Sequence, residues 1–201
     1  MKEEISSIEK NKTWKLVELP PQKKAISVKW VFKLKTNPDG SIAKHKARLV
    51  ARGFLQRQGI DFIEVHAPVA RMEIIRLVVA ITSSYDWPLF HMDGKSAFFN
   101  GPLQEVHVLQ SPGFEIESDK DKVYKLEKAL YGLKQALRAW NKRIYHFLHI
   151  EGSVKCSVEL GMYIKGTDVT NAILLWDDLL ITGSNVDSIE KFKGDSKMNL
   201  K

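Results

Sequence analysis

The chain carries one cysteine, Cys156, which excludes an intrachain disulfide framework and a cysteine-rich zinc cluster and fits a reducing compartment. It has no run of about 18 apolar residues, and its start has no basic stretch leading into an apolar core. Neither a membrane span nor a secretory signal is expected, and a membrane is not an expected partner. Internal repeats and low-complexity linkers are missing as well. Acidic residues are scarce in one segment above all. Between Lys23 and Arg57 stand ten cations (Lys23, Lys24, Lys29, Lys33, Lys35, Lys44, Lys46, Arg48, Arg52 and Arg57) against one acid, Asp39.

That segment accounts for much of the excess of 31 Lys and Arg over 24 Asp and Glu, a net charge of +7. Phosphate backbones reward one-sided charge through counterion release, so nucleic acid is the expected partner. A solvated basic face without a ligand is the competing reading. The 44% of hydrophobic residues in 201 suffice for one substantial core and a smaller lobe.

Patterning points to an α+β chain. Ile5 and Ile8 among charged neighbours predict a short amphipathic helix. Trp14 to Leu19 reads as a strand, and Ser27 to Lys35 as a longer basic one. Asn37-Pro38-Asp39-Gly40 is a tight turn, and Ser41 to Ala51 the return strand. Met72 to Ile81 is apolar on more than one side, as a helix beneath a sheet would be. A strand then runs to Asp93, a short helix ends at Asn100-Gly101-Pro102, and Val106 to Val108 precedes a turn at Ser111-Pro112-Gly113. A long helical pattern spans Glu127 to Ile150, interrupted at Gly132, and Ser188 to Met198 predicts a last helix. His146 and His149 sit three apart on the long helix without a carboxylate or cysteine partner, so a metal site there is not expected.

Chemistry concentrates at three acids. Asp177 and Asp178 interrupt the apolar run from Ala172 to Ile181, where two unpaired buried charges would cost several kcal/mol each. Two strands of a hairpin with the carboxylates at its tip, facing a hard divalent cation, resolve that conflict. Asp93 ends a third strand-like stretch. Three carboxylates on strand ends suit two Mg²⁺ ions roughly 3.5–4 Å apart, which activate an attacking oxygen and stabilise a leaving one in phosphoryl transfer. An ordinary polar turn at Asp177-Asp178 is the alternative.

Several strings, in order, resemble the reverse transcriptase of Ty1/copia-type retrotransposons. They are Val28 to Lys33, Lys46 to Phe54, Ala67 to Arg71, Asp93 to Gly101, Leu130 to Gln135, Arg138-Ala139-Trp140 and Asp177 to Leu180. The resemblance implies the fingers and palm of a right-hand polymerase, with a mixed or antiparallel palm sheet backed by helices. Residues about 13–68 would form a fingers-like basic hairpin region and 69–201 mostly palm with interleaved fingers elements. It implies RNA-directed DNA polymerisation with dNTP, a primer and an RNA or DNA template, Mg²⁺ (or Mn²⁺) as cofactor, and a cytoplasmic or nuclear location. Asp93, Asp177 and Asp178 would be the catalytic metal ligands. Lys46 and Arg48 would grip the triphosphate, Phe98 would exclude a ribose 2′-OH, and Gln135 would contact nucleotide and template. Lys33, Lys35, Lys44 and Arg52 would bind nucleic acid. Without the family frame, Phe98 reads equally as a core aromatic and Gln135 as a helix-surface residue.

The chain departs from the family pattern near the chemistry. Leu175 and Trp176 precede the paired aspartates where the family has tyrosine and a smaller apolar residue, and the preceding segment is about two residues short. Gly94 and Leu137 replace a β-branched residue and a proline, and the stretch near Gln104 to Val108 is one residue short. The resemblance also leaves the thumb and the ribonuclease H domain outside these residues, which implies a weak grip on primer and template. A catalytically inactive nucleic-acid-binding remnant is therefore the alternative function.

Overall fold

A computed structural model of the chain describes residues 1–92, 101–165, 171–175 and 179–199. Contacts divide it into two compact units, Met1–His66 with Phe98–Trp140 and Ala67–Ala97 with Asn141–Lys201. Helices and antiparallel sheets alternate, in keeping with an α+β chain.

The first unit opens with α1 (Lys2–Lys10), whose Ile8 is fully buried and whose Glu3 and Glu4 lie at the end where the helix dipole favours acids. Strand β1 (Trp14–Val17) follows, then β2 (Val28–Thr36) and β3 (Ile42–Ala51), which among the described residues form a two-stranded sheet of their own. The turn between β2 and β3 places Gly40 at φ +83°, and Asp39 Oδ1 accepts from the Ser41 backbone N–H and hydroxyl at 2.9 and 2.6 Å. Strand β5 (Pro102–Val108) and β6 (Val123–Lys128) complete a sheet in the order β1-β6-β5. Trp14 stacks on Tyr124 with centroids 4.1 Å apart. Beneath them, Leu49, Val108, Leu126 and Leu130 are almost wholly buried with Ile8 in one core. Each such aliphatic side chain contributes about 1.5–3 kcal/mol by leaving water.

The second unit holds α2 (Met72–Ser84) and a five-stranded antiparallel sheet. Its order is β4 (Leu89–Met92), β10 (Leu179–Gly183), β9 (Asn171–Leu175), β8 (Met162–Lys165) and β7 (Val154–Lys155). Ala70, Val78, Ile74 and Ile75 pack with Met162 and Leu180. The Thr182 hydroxyl donates to the Pro88 carbonyl at 2.8 Å and lies 3.2 Å from the Thr82 hydroxyl, which donates to the Val78 carbonyl at 2.7 Å. Phe147 meets Phe192 of α4 (Val186–Asn199) at 5.5 Å. The Tyr163 hydroxyl is pushed up to about 12 by burial.

Two expectations need correction. The helix predicted from Glu127 begins at Ala136, as α3 (Ala136–Ile150), because Glu127 and Lys128 belong to β6, whose neighbours β1 and β5 supply its hydrogen bonds. Between them Gly132 takes φ +87°, where the chain turns. Helix α2 is buried along one face only. Leu77, Val79 and Ile81 are exposed, so its apolar character does not reflect a surrounding core. The helix expected after Asp93 falls outside the described residues. His146 and His149 are exposed.

Candidate nucleotide and nucleic-acid site

The β2–β3 ribbon sorts its side chains by strand alternation. Residues directly opposite in an antiparallel pair share a face. Lys29↔Val50, Val31↔Arg48, Lys33↔Lys46 and Lys35↔Lys44 are such pairs, so six cations line one face. Trp30↔Leu49, Phe32↔Ala47 and Leu34↔His45 form the other. At the ribbon's base the apolar face enters the core, where Val28 and Leu49 are buried. Toward its tip Phe32 is 67% exposed. Two Lys–Lys pairs directly opposite one another repel, and each costs a few tenths of a kcal/mol or more unless an anion lies between them.

Among the residues expected to bind substrate, Lys46 and Arg48 are half-buried on the cationic face of β3. The Arg48 guanidinium lies over the Tyr131 ring, 4.9 Å from its centroid, which fixes the direction of its charge. Glu3 of α1 pairs with Lys44 at 3.4 Å. Burial holds the Glu4 carboxyl above the ordinary carboxylate range, against the pull of a backbone hydrogen bond at Leu49 and of Arg48 and Lys46. Lys33, Lys35 and Lys44 are exposed on the same face. Arg52 is exposed just beyond β3.

Gln135 stands one residue before α3 in a network unforeseen in the sequence. Its Oε1 accepts from Gln56 Nε2 at 2.9 Å, and its Nε2 donates to the Asp61 carbonyl at 3.1 Å. Gln56, only 4% exposed, accepts the Lys134 backbone N–H at 2.8 Å. The Lys134 ammonium donates to the Gln56 carbonyl at 3.3 Å and lies 5.0 Å from the Phe62 ring centroid. Gln135 is thus held at both ends of its amide while keeping one N–H and one lone pair for another partner. Nothing local marks Gln56, since its neighbours Leu55 and Arg57 are exposed.

Asp93, Phe98, Asp177 and Asp178 lie outside the described residues. Met92, Leu175 and Leu179, which flank the acids in the chain, are described. β10 pairs with β4 at Leu179↔Met92 and with β9 at Leu179↔Leu175, so Met92, Leu179 and Leu175 form one row across the sheet. The expected hairpin of two apolar strands is present as β9 and β10. Among the described residues, no group of three His, Cys, Asp or Glu could hold a metal ion. No helix among them is long and apolar enough to cross a membrane.

Residues 11–201 match the model of the family described as reverse transcriptase (RNA-dependent DNA polymerase). The chain is similar to the retrovirus-related Pol polyprotein from transposon TNT 1-94 of Nicotiana tabacum, at 42% identity over 97% of this chain and 15% of that protein. It is similar to the corresponding polyprotein from transposon RE2 of Arabidopsis thaliana at 38% identity over 92% of this chain and 13% of that one. The transposon Ty1-DR4 Gag-Pol polyprotein of Saccharomyces cerevisiae is 25% identical over 94% of this chain and 12% of its own length. The chain therefore spans about a seventh, or less, of the length of these curated relatives.

Proposed function

From the premise that the chain belongs to the Ty1/copia-type reverse transcriptase (RNA-dependent DNA polymerase) family, we propose that it transfers a nucleotide from dNTP to a primer 3′-OH on an RNA or DNA template. In this reading residues about 13–68 form the fingers-like basic hairpin region and 69–201 are mostly palm with interleaved fingers elements. The primer 3′-hydroxyl gives up its proton to water as its oxygen bonds to the α-phosphorus, the bond from that phosphorus to the α–β bridging oxygen breaks, and pyrophosphate leaves with that electron pair. Lys46 and Arg48 hold the triphosphate and offset charge on the departing pyrophosphate. Phe98 blocks a ribose 2′-OH, and Gln135 offers its remaining N–H to nucleotide or template. Lys33, Lys35, Lys44 and Arg52 carry the polyanion.

Asp93, Asp177 and Asp178 would hold Mg²⁺, or Mn²⁺, since three carboxylates are the hard oxygen donors such ions prefer. Bound there, the ions supply charge stabilisation at the attacking and leaving oxygens. The observation that carries the reading is the row Met92–Leu179–Leu175, which brings together the chain immediately before Asp93 and on both sides of Trp176-Asp177-Asp178.

The test is metal-dependent extension of a labelled DNA primer on RNA by the purified chain, beside Asp93→Asn and a double Asp177→Asn, Asp178→Asn variant. Extension by the parent and none by either variant is the expected result. Equal extension by a variant would refute the assignment of the acids. A folded parent that extends nothing would favour the second reading, a non-catalytic nucleic-acid-binding remnant. That reading draws on the cationic ribbon, which needs no metal, and predicts salt-sensitive binding indifferent to Mg²⁺.

A further inference from the structure

The two ends of the basic segment meet again in space. Lys23 and Lys24 precede β2 and Arg57 follows β3, yet all three line one cavity of about 150 Å³ at the foot of the ribbon, together with Asp61, Glu105 and His107. Local charge is already apportioned among some of these groups. Lys23 Nζ pairs with Glu105 Oε2 at 2.9 Å, which holds that carboxyl below its ordinary range. Asp61 Oδ2 accepts the Arg57 backbone N–H at 2.7 Å. The side chains of Lys24, Arg57 and His107 make no hydrogen bond or ion pair with any described residue.

His107 is the informative member. It is 5% exposed, and on β5 it alternates with Val106 and Val108, which enter the core, so its imidazole faces the other way. Next to it the β5–β6 register shifts, and Glu105 takes φ +38°. A bulge with a non-glycine residue in the left-handed region re-aims side chains at a cost, a feature that clusters at functional sites. The volume matches about five waters, too small for a nucleoside but ample for one phosphate group.

We infer that this cavity binds a single phosphate group, held by the Arg57 guanidinium, the Lys24 ammonium and the His107 imidazole. The group is either one diester of a nucleic-acid strand lying along the ribbon or a free phosphate. Arg57 offers a planar pair of donors, Lys24 a point charge, and His107 a donor that an anion would strengthen by favouring its protonated form. Burial, then Lys125 and Lys23, hold the imidazole below its ordinary range against the pull of Glu105, so a bound anion has that opposition to offset.

The inference rests on the proposed function for the polynucleotide source alone. Its test needs no metal, primer or dNTP, so it stands or falls apart from polymerase activity. His107 ring resonances of the full chain are followed by NMR during titration with inorganic phosphate at constant ionic strength set by chloride, and separately with oligodeoxythymidylate. A saturable shift absent from the chloride control is expected. Arg57→Gln and Lys24→Gln should each weaken it about tenfold. A shift with phosphate alone assigns a free ion, and one with the oligonucleotide assigns a backbone diester. No saturable shift with either ligand in the parent overturns the site, as does unchanged affinity in both variants. Should Arg57→Gln fail to melt cooperatively, Arg57→Lys, which keeps the charge, replaces it and should lose less affinity.

Discussion

Replacing Lys33, Lys35, Lys44 and Lys46 together by glutamine should weaken nucleic-acid binding and at the same time leave the fold as stable or more so. The four residues form two directly opposed like-charge pairs on one face of the ribbon. Each pair costs about 0.2–1 kcal/mol in the absence of an anion, so the variant should gain up to about 2 kcal/mol. The Lys44–Glu3 ion pair lost with them is exposed on both sides and offsets little of this, while the lost attraction of Lys46 for the Glu4 carboxyl offsets a further part. Binding moves the other way. Six cations on the face, each releasing about 0.7 of a counterion from a single strand, set a salt slope near −4 for the ribbon's share, and the two that remain set one near −1.4. A fourfold rise in salt should therefore weaken the parent about 300-fold and the variant about sevenfold. Fluorescence anisotropy with a labelled oligonucleotide across a salt series, beside thermal melts, measures both. Equal slopes would refute the ribbon as the electrostatic interface. A variant that lost binding and stability together would show damage to the fold instead.

Three further outcomes are expected. Gly132→Ala puts a side chain at φ +87° with its Cβ driven against the Ala51 carbonyl oxygen, so it should lose at least about 1–3 kcal/mol and melt lower, by about 2–4 °C for each kcal/mol; an unchanged melt would contradict that contact. Gln56→Leu removes the hydrogen bonds to Gln135 and to the Lys134 N–H and should cost about 2–4 kcal/mol in urea unfolding; an unchanged midpoint would refute the buried network. Glu4 holds its proton more tightly folded than unfolded, so stability falls as pH rises from the ordinary glutamate value to the raised folded value, and the loss persists above it. Glu4→Gln should accordingly stabilise the chain near pH 7 and do little below about pH 4; a gain independent of pH would refute the buried-carboxylate account.

Wherever local pattern and local physics coincide, the sequence by itself was enough. The turn at Asn37 to Gly40, the paired apolar strands flanking Asp177-Asp178 and the helix around Ile5 and Ile8 all follow from side-chain period and turn chemistry within a few residues. The ordered family strings carried the membership as well. Tertiary structure decided what depends on distant partners. Glu127 and Lys128 satisfy a helical spacing but lie in a strand, because β1 and β5 stand on either side to complete its hydrogen bonds. Apolar Leu77, Val79 and Ile81 face outward because only one side of α2 meets Met162 and Leu180. The burial of Gln56 against Gln135, and the convergence of Lys24, Arg57 and His107 on one cavity, join residues about 30 to 80 positions apart. Local periodicity does not encode closures over such separations, since it records which face of an element is apolar and not what that face will meet.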